Sequence, residues 1–526
     1  MFDLLVKNGR VVDGSGNPWV VADVAAKDGR IAAVGRLGDT AAATVVDAAG
    51  RVVGPGFIDG HSHSDLYVLA APESRQKIMQ GFTTEVVGLD GMSVAPVSDA
   101  HKPGWQKHLS GLAGNPGIPW NWNSLGDYLD AVDATPASIN LCSYAGLGTI
   151  RLNVIGMDDR APSAAEMEQM RRLTAEAMEQ GARGVSAGLI YPPSQYQNLE
   201  EIVELCRVAR RYDGIFDVHM RNESDRIAES VEEVLEIGRR SEIPVLITHF
   251  KVRGRKNWGR SGPLLERLER ARAEGIDVTV SQYPYTAGST FLHAVIPPWY
   301  HTGGAEALVA ALGSRRAEIK RDIAQRTDWE NFSGILGWEN IYVSSVVSET
   351  NRWCEGKSMS QIAAQRGVEP ADAACDLLLE EQLAVGMIAF GLDEEDIRTI
   401  LRHRLTSVIT DGLLSGGKPH PRAYATSARI LGRYVREDAV IPLEDAVRKL
   451  TSLPAAKVRL RRKGLLAAGF DADIVVFDPA AVLDTNSYED PMRHPAGIEH
   501  VVVGGTLVVK NGVHTGATPG RTIRGR

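Results

Sequence analysis

Pro55-Gly56-Phe57-Ile58-Asp59-Gly60-His61-Ser62-His63 is a short apolar run between glycines that ends in two histidines. Residues two apart on a strand project to the same face, so His61 and His63 can address one point. Imidazole is a common zinc ligand, and a pair from one strand builds half a tetrahedral set locally. Taken alone, His-x-His also fits a solvated loop, so the decision falls to the rest of the chain.

Working outward, apolar strand-like runs end near Ile58, Gly88, Tyr144, Leu189, His219, His249, Tyr283 and Asp411. Helical patterns lie between most of them, at Ala164 to Gln180, Leu199 to Tyr212, Asp225 to Arg240 and Pro263 to Glu274. Strands alternating with helices predict an α/β chain, and eight of them match the count of a (β/α)8 TIM barrel. The stretch 287–400 is too long for one helix and predicts an inserted subdomain. Both ends of the chain differ from this middle. Phe2 to Lys7, Trp19 to Ala25 and Arg30 to Val34, and then Ala472 to Phe477, His500 to Val503 and Thr506 to Val509, are short β runs between Asn-Gly, Asp-Gly and Gly-Gly turns. The expected domains are therefore a small β-sandwich from 1–54 plus 463–515 and a barrel over 55–462. The stretch 516–526, rich in small and basic residues, reads as a flexible tail.

In such barrels the chemistry sits at the C-terminal ends of the strands. His219 closes Gly214-Ile215-Phe216-Asp217-Val218, and His249 closes Ile243-Pro244-Val245-Leu246-Ile247-Thr248. Two more histidines at equivalent strand ends turn the His-x-His into a candidate metal set. Asp411 follows Thr406-Ser407-Val408-Ile409-Thr410 at the last strand. A carboxylate there can take a proton from an activated water and return it to a leaving amine, although Asp411-Gly412 also fits a turn.

Composition excludes other classes. The 526 residues carry 58 Lys+Arg against 66 Asp+Glu, a net charge of −8, with 44% hydrophobic residues. That balance argues against a nucleic-acid binder and against disorder. No apolar run approaches the ~20 residues of a membrane span, and the N-terminus lacks a signal-peptide pattern. A cytoplasmic protein, with no membrane partner, is expected. The four cysteines make no C-x-x-C pair and read as buried thiols.

With these residues in place, the sequence resembles the amidohydrolase superfamily, and within it the N-acyl-D-amino-acid deacylases (D-aminoacylases). The matching motifs are 55–63 above, His219-Met220-Arg221-Asn222-Glu223, Tyr283-Pro284-Tyr285, His420-Pro421-Arg422-Ala423-Tyr424 and Phe470-Asp471-Ala472-Asp473-Ile474-Val475. The resemblance implies hydrolysis of the amide bond of N-acyl-D-amino acids by an enzyme holding one or two divalent metals, Zn2+ first, with Mn2+, Co2+ or Fe2+ as alternatives. It assigns His61 and His63 to one metal position and His219 and His249 to a second. Asp411 becomes the catalytic proton carrier and a further metal ligand. The small-molecule amide is the expected partner, and a homo-oligomer is compatible.

One position departs from the family. Its second strand ends in Gly-Asn-Cys-Gly, whereas this chain reads Gly88-Leu89-Asp90-Gly91, with Asp90 where the zinc-binding thiolate belongs. Aspartate is a harder ligand that can present two oxygens and bridge two ions, so Asp90 joins the expected metal set, against the reading of a plain Asp-Gly turn. The lysine bridge of hydantoinase-type relatives is excluded, because no lysine occurs between Lys107 and Lys251.

For the substrate carboxylate, the resemblance points to Arg422, whose planar fork suits it, with Lys251, Tyr191 and Tyr283 beside it. The family's Tyr-Gly-Thr-Phe-Pro-Arg is here Tyr424-Ala425-Thr426-Ser427-Ala428-Arg429, which implies an altered pocket. Trp299, Trp329, Trp338 and Trp353 in the insertion read as its own core or as an acyl-pocket lining. Two rival readings stand beside the deacylase: a hydrolase of a dipeptide, carbamate or aryl amide on the same metals, and a silent barrel scaffold.

Overall fold

The computed structural model describes residues 1–525. Eight short strands build its centre: β1 Phe57–Asp59, β2 Phe82–Val87, β3 Asn140–Ser143, β4 Gly184–Gly188, β5 Ile215–His219, β6 Val245–Ile247, β7 Val278–Gln282 and β8 Thr406–Val408. Each matches one of the apolar runs of the sequence. Nearly every residue in them is buried, as expected of parallel strands covered on both faces. β1, β2 and β3 form one parallel sheet. Ala145–Gly146, which continues β3 after Tyr144, leads a second parallel sheet through β4, β5, β6, β7 and β8. The register is level: Gly188 lies opposite His219, and Val218 opposite Ile247. The residues after each strand therefore emerge at one height.

The helices between strands follow their amphipathic patterns. Ala164–Glu179 starts at a capping box in which Ser163 and Glu166 satisfy each other's backbone N–H groups. Leu199–Arg210 starts at Asn198, and Ile227–Ser241 and Ser261–Ala273 follow the next two strands. The fold is mixed α/β with parallel sheets.

Both termini meet in one nine-stranded sheet. Val52–Pro55 pairs antiparallel with Ile474–Phe477 and joins the N-terminal strands to the C-terminal ones. Leu4, Val6, Val24, Ile474, Val476 and Val502 share its core. The insertion holds an antiparallel sheet of Ala287–Phe291, Ile341–Ser345 and Gly386–Phe390, surrounded by helices. It ends before the helix Glu394–Arg402 that leads into β8, and its core is continuous with the main one. Its four tryptophans are half-buried against that core.

Of the stretch 516–526, read from the sequence as a flexible tail, residues 520–525 make backbone and side-chain contacts, and residue 526 lies outside the described residues. Leu141 N–H donates to Arg521 O and Ile523 N–H to Leu141 O, while Arg524 pairs with Asp130 and Asp133. The unused edge of β3 supplies backbone partners, and acidic residues of helix Leu125–Asp133 receive the basic side chain. All four cysteines are free and buried. Among the described residues, no helix is long and apolar enough to cross a membrane.

Asp59 links the first and last strands from within. Its carboxylate accepts from Thr410 N (2.9 Å) and Thr410 Oγ1 (2.6 Å) and pairs with Lys77, whose Nζ also donates to Thr410 Oγ1 at 2.5 Å. All three side chains are fully buried. Removing one member of a buried pair strands the other charge, at a cost of about 3–5 kcal/mol. Asp59→Ala should accordingly move the first urea transition to markedly lower concentration, whereas Asp59→Asn, which can still accept from Thr410 Oγ1, should lose less. Equal midpoints for both variants and the parent would contradict this role.

Candidate metal centre

Five of the predicted residues converge just past the strand ends. Asp90 follows β2, and its side chain lies among all four histidines. Its Oδ2 is 3.7 Å from His61 Nε2 and 3.5 Å from His63 Nε2; its Oδ1 is 3.6 Å from His249 Nε2 and 3.9 Å from His219 Nδ1. His61-His63-Asp90 and Asp90-His219-His249 thus form two donor sets sharing one carboxylate. Asp411 faces the first set, with Oδ1 3.3 Å from His63 Nε2 and 3.6 Å from His61 Nε2.

The backbone explains the convergence. Asp411 N–H donates to His61 O, and His63 N–H to Gly412 O, so the loop after β8 lies against the His-x-His segment. Asp90 is held over the end of β4: Gly91 N–H donates to Ser186 Oγ, which donates to Gly88 O. A Cβ on Gly188 would come within 2.4 Å of Asp90 O, so only glycine allows that approach. Asp90, His249 and Asp411 have φ of 53°, 35° and 48°, a left-handed region costing non-glycine residues about 1–3 kcal/mol. That strain aims three side chains at one point.

A second layer orients the rings. His61 Nδ1 lies 2.6 Å from Thr248 Oγ1, and with Nδ1–H donating there its Nε2 keeps a free lone pair. Glu223 backs both distal histidines, with Oε2 3.3 Å from His219 Nε2 and Oε1 3.2 Å from His249 Nδ1. Lys251 and Arg253 pair with Glu223, and Glu330 accepts from Arg253 Nη1 at 2.7 Å.

Charge bookkeeping singles out Asp90. Asp411 pairs with Arg422 (3.0 Å), Glu223 with Lys251, and Glu330 with Arg253, but Asp90 has only imidazoles within ion-pair distance. Burial alone would raise its carboxyl, yet the imidazoles, His61 foremost, hold it well below the ordinary range. The same field acts on His63. Burial opposes its proton, but Asp411 and Asp90 push its pKa up to about 10, while burial takes His219 down to about 4. Asp90 Oδ1 and both nitrogens of His219 have no hydrogen-bond partner. Imidazole nitrogens and ionised carboxylates buried around one point are the donor set that a divalent cation satisfies, displacing the proton that the carboxylates otherwise hold on His63.

The four expected substrate residues are close by but differently engaged. Arg422 is fully buried, bound to Asp411 and to Ser289 O (3.1 Å), with Nε and Nη1 unpartnered. Lys251 is tied to Glu223 and to His249 Nδ1 (2.7 Å). Tyr283 lies between these cations, 4.3 Å from Arg422 and 5.9 Å from Lys251 by ring centroid, with its hydroxyl unpartnered. Tyr191 packs edge-on against His219. The adjacent cavity is small, about 20 Å³. From the insertion it takes Gly288, Ser289, Thr290, Phe332 and Ala389 but none of the four tryptophans. Two larger cavities, of about 410 and 680 Å³, lie elsewhere and contain none of the five converging residues.

The sequence alone gives no role to Glu223, Arg253, Glu330 or Thr248. Glu223 stood in a quoted motif, and Thr248 immediately precedes a candidate ligand. Glu330 had no local signal, because it arrives from the insertion.

Comparison with known proteins follows this geometry. The amidohydrolase family profile matches residues 44–288 and 353–509. A D-aminoacylase from Alcaligenes xylosoxydans xylosoxydans is 38% identical over 99% of this chain and 97% of its own. A solved D-aminoacylase, described for its binuclear metal centre, superposes with TM-score 0.86 at 35% identity over the whole of both chains. An N-acyl-D-glutamate deacylase from Bordetella bronchiseptica, complexed with zinc and a phosphonate mimic of the tetrahedral intermediate, gives 0.85 at 33%, covering 99% of each. The chain belongs to the amidohydrolase family. Within that family, its full-length likeness is to the N-acyl-D-amino-acid deacylases.

Glu223→Gln keeps the side chain's shape but removes the charge behind His219 and His249. Losing such an outer partner typically costs about 10–100-fold in metal affinity. Chelator competition should show zinc retention weakened on that scale; unchanged retention would mean that Glu223 serves only Lys251 and Arg253.

Proposed function

We propose that this chain hydrolyses N-acyl-D-amino acids to a carboxylate and a D-amino acid, using one or two divalent ions, zinc first, held by His61, His63, Asp90, His219, His249 and Asp411. The single observation that carries the reading is Asp90, a buried carboxylate whose two oxygens face separate histidine pairs and which has no cationic side chain of its own. As architecture, we propose one (β/α)8 barrel over 55–462, with an inserted subdomain within 287–400 and a β-sandwich from 1–54 and 463–515. The backbone hydrogen bonds between the His61–His63 segment and the loop after β8 support closure. A cytoplasmic setting accords with four free cysteines.

When bound, the metal supplies Lewis-acid polarisation and brings the pKa of water from 15.7 toward about 7. The chain's own residues do the rest. Asp411 Oδ1 receives the proton of the attacking water and delivers it to the departing amine nitrogen. Burial alone would raise the Asp411 carboxyl, but the Arg422 guanidinium, with His63 and His61, outweighs it and keeps Asp411 ionised and ready to accept. Tyr283, flanked by Lys251 and Arg422, offers a free hydroxyl and two cations to the substrate carboxylate. Tyr191, beside His219, is placed to hydrogen-bond the developing oxyanion. Phe332 and Leu112 cover the cavity and exclude water.

A panel of N-acyl-D-amino acids with apolar and acidic side chains, their L-enantiomers, D-dipeptides and carbamates, run after zinc reconstitution, tests the reading. N-acyl-D substrates should be cleaved fastest; a preference for dipeptides or carbamates would overturn it, as would a metal-free, inert protein. Asp411→Asn, with the other five donors intact, should retain the fold and at least one ion yet lose nearly all turnover. Activity within about tenfold of the parent, ~1.4 kcal/mol, would remove Asp411 from the proton-carrying role. Arg422→Met should let the Asp411 carboxyl rise toward the ordinary value of about 4. A depressed carboxylate is lost only as pH falls through its folded pKa, so this variant should show a fall in kcat below about pH 5 that the parent lacks, at constant zinc content.

A further inference from the structure

Three histidines outside the strand-end cluster also converge. His108 lies on helix Lys102–Ala113, and His293 and His301 lie in the turns that follow Ala287–Phe291. All three are buried, with ring centroids 4.9, 5.5 and 6.4 Å apart, and one ring nitrogen from each lies within 4.8 Å of the others. His293 Nε2 donates to His108 O (3.1 Å) and His301 Nε2 to Ile296 O (3.2 Å). Those bonds place the proton on Nε2 in both rings and leave Nδ1 as a bare lone pair. His293 Nδ1, His301 Nδ1 and His108 Nε2 have no partner. Burial lowers all three, His108 to about 3 and His301 to about 4, so the cluster is uncharged.

The surroundings supply no donor to this group. Trp105 stacks on His108 at 5.1 Å and Phe291 on His293 at 3.9 Å. A buried polar atom left unpaired is destabilising, so three together need an explanation. Three neutral imidazoles, each with a ring nitrogen within 4.8 Å of the others, are a donor set that suits Zn2+ or Cu2+, whose nitrogen bonds are about 2.0–2.1 Å. His108 also lines a cavity of about 290 Å³ together with Gly304 and Glu306. Phe291 and Tyr191 stand between this group and His219, which makes it separate from the strand-end set.

We propose that His108, His293 and His301 form a second, independent transition-metal site that binds Zn2+ or Cu2+ and fastens the inserted segment to helix Lys102–Ala113. The site needs none of the residues assigned to hydrolysis.

The full-length protein, stripped with chelator and reloaded with Zn2+ or Cu2+, tests it. The parent should hold one ion more per chain than His301→Gln, whose amide keeps a donor for Ile296 O, and zinc should raise the unfolding temperature of the parent more than that of the variant. Cu2+ added to Asp90→Ala that also carries His61→Ala and His219→Ala, which leaves one histidine in each strand-end set, should give an EPR spectrum with coupling to three imidazole nitrogens, and adding His301→Gln should remove the three-nitrogen pattern. Equal stoichiometry and equal zinc-dependent stabilisation in parent and His301→Gln would overturn the site. If His301→Gln fails to fold, His108→Gln replaces it in the same comparison. The Asp90→Ala background keeps this result distinguishable from failure of the strand-end centre.

Discussion

A carboxylate buried with only imidazoles around it is an unfinished electrostatic arrangement, and Asp90 is in that position. Every other ionised carboxylate of the site has a guanidinium or ammonium partner: Asp411 has Arg422, and Glu223 has Lys251 and Arg253. Taking a charge out of water costs several kcal/mol unless it is paired. The fold nonetheless places Asp90 in the left-handed region over the end of β4, where Gly188 leaves room for it. Strain, burial and missing countercharge coincide at one residue, and a divalent cation resolves the charge imbalance.

The outer residues follow from that constraint. Metal-facing nitrogens need lone pairs, so each ring's other nitrogen needs a partner: Thr248 serves His61, and Glu223 serves His219 and His249. Glu223 would itself be an unpaired buried charge, and Lys251 and Arg253 prevent that. Glu330 then completes Arg253 from the insertion. The added segment is thus wired into the electrostatics of the strand ends, which is why Lys251 is engaged by protein as well as facing the cavity. The three-histidine cluster obeys the opposite logic. It has no charge to balance, only lone pairs with no donor, so it calls for a soft-to-borderline cation and not for a proton.

The strands were legible because their pattern is local. Short apolar runs locate all eight, and helix starts such as Ser163 with Glu166 are written in residues three apart. His61, His63, His219 and His249 could be singled out because each closes such a run. Lys251 and Arg422 were expected to hold the substrate carboxylate, and the structure adds Glu223 and Asp411 as their partners within the protein. The C-terminal segment looked flexible because small and basic residues carry no periodicity, and its anchoring depends on Asp130, Asp133 and the edge of β3.

By itself the sequence determined which histidines and carboxylates stand at strand ends and in what order they meet the strands, because strand alternation and residue type act over a few neighbours. The replacement of a thiolate by Asp90, and the lack of a lysine on the fourth strand, were likewise readable there. Only the tertiary structure decided which charges pair, which nitrogens are left bare, and that Asp90 turns one oxygen to each histidine pair. Those outcomes depend on distances between residues tens to hundreds of positions apart, which are set by how level strand ends and the inserted segment pack together.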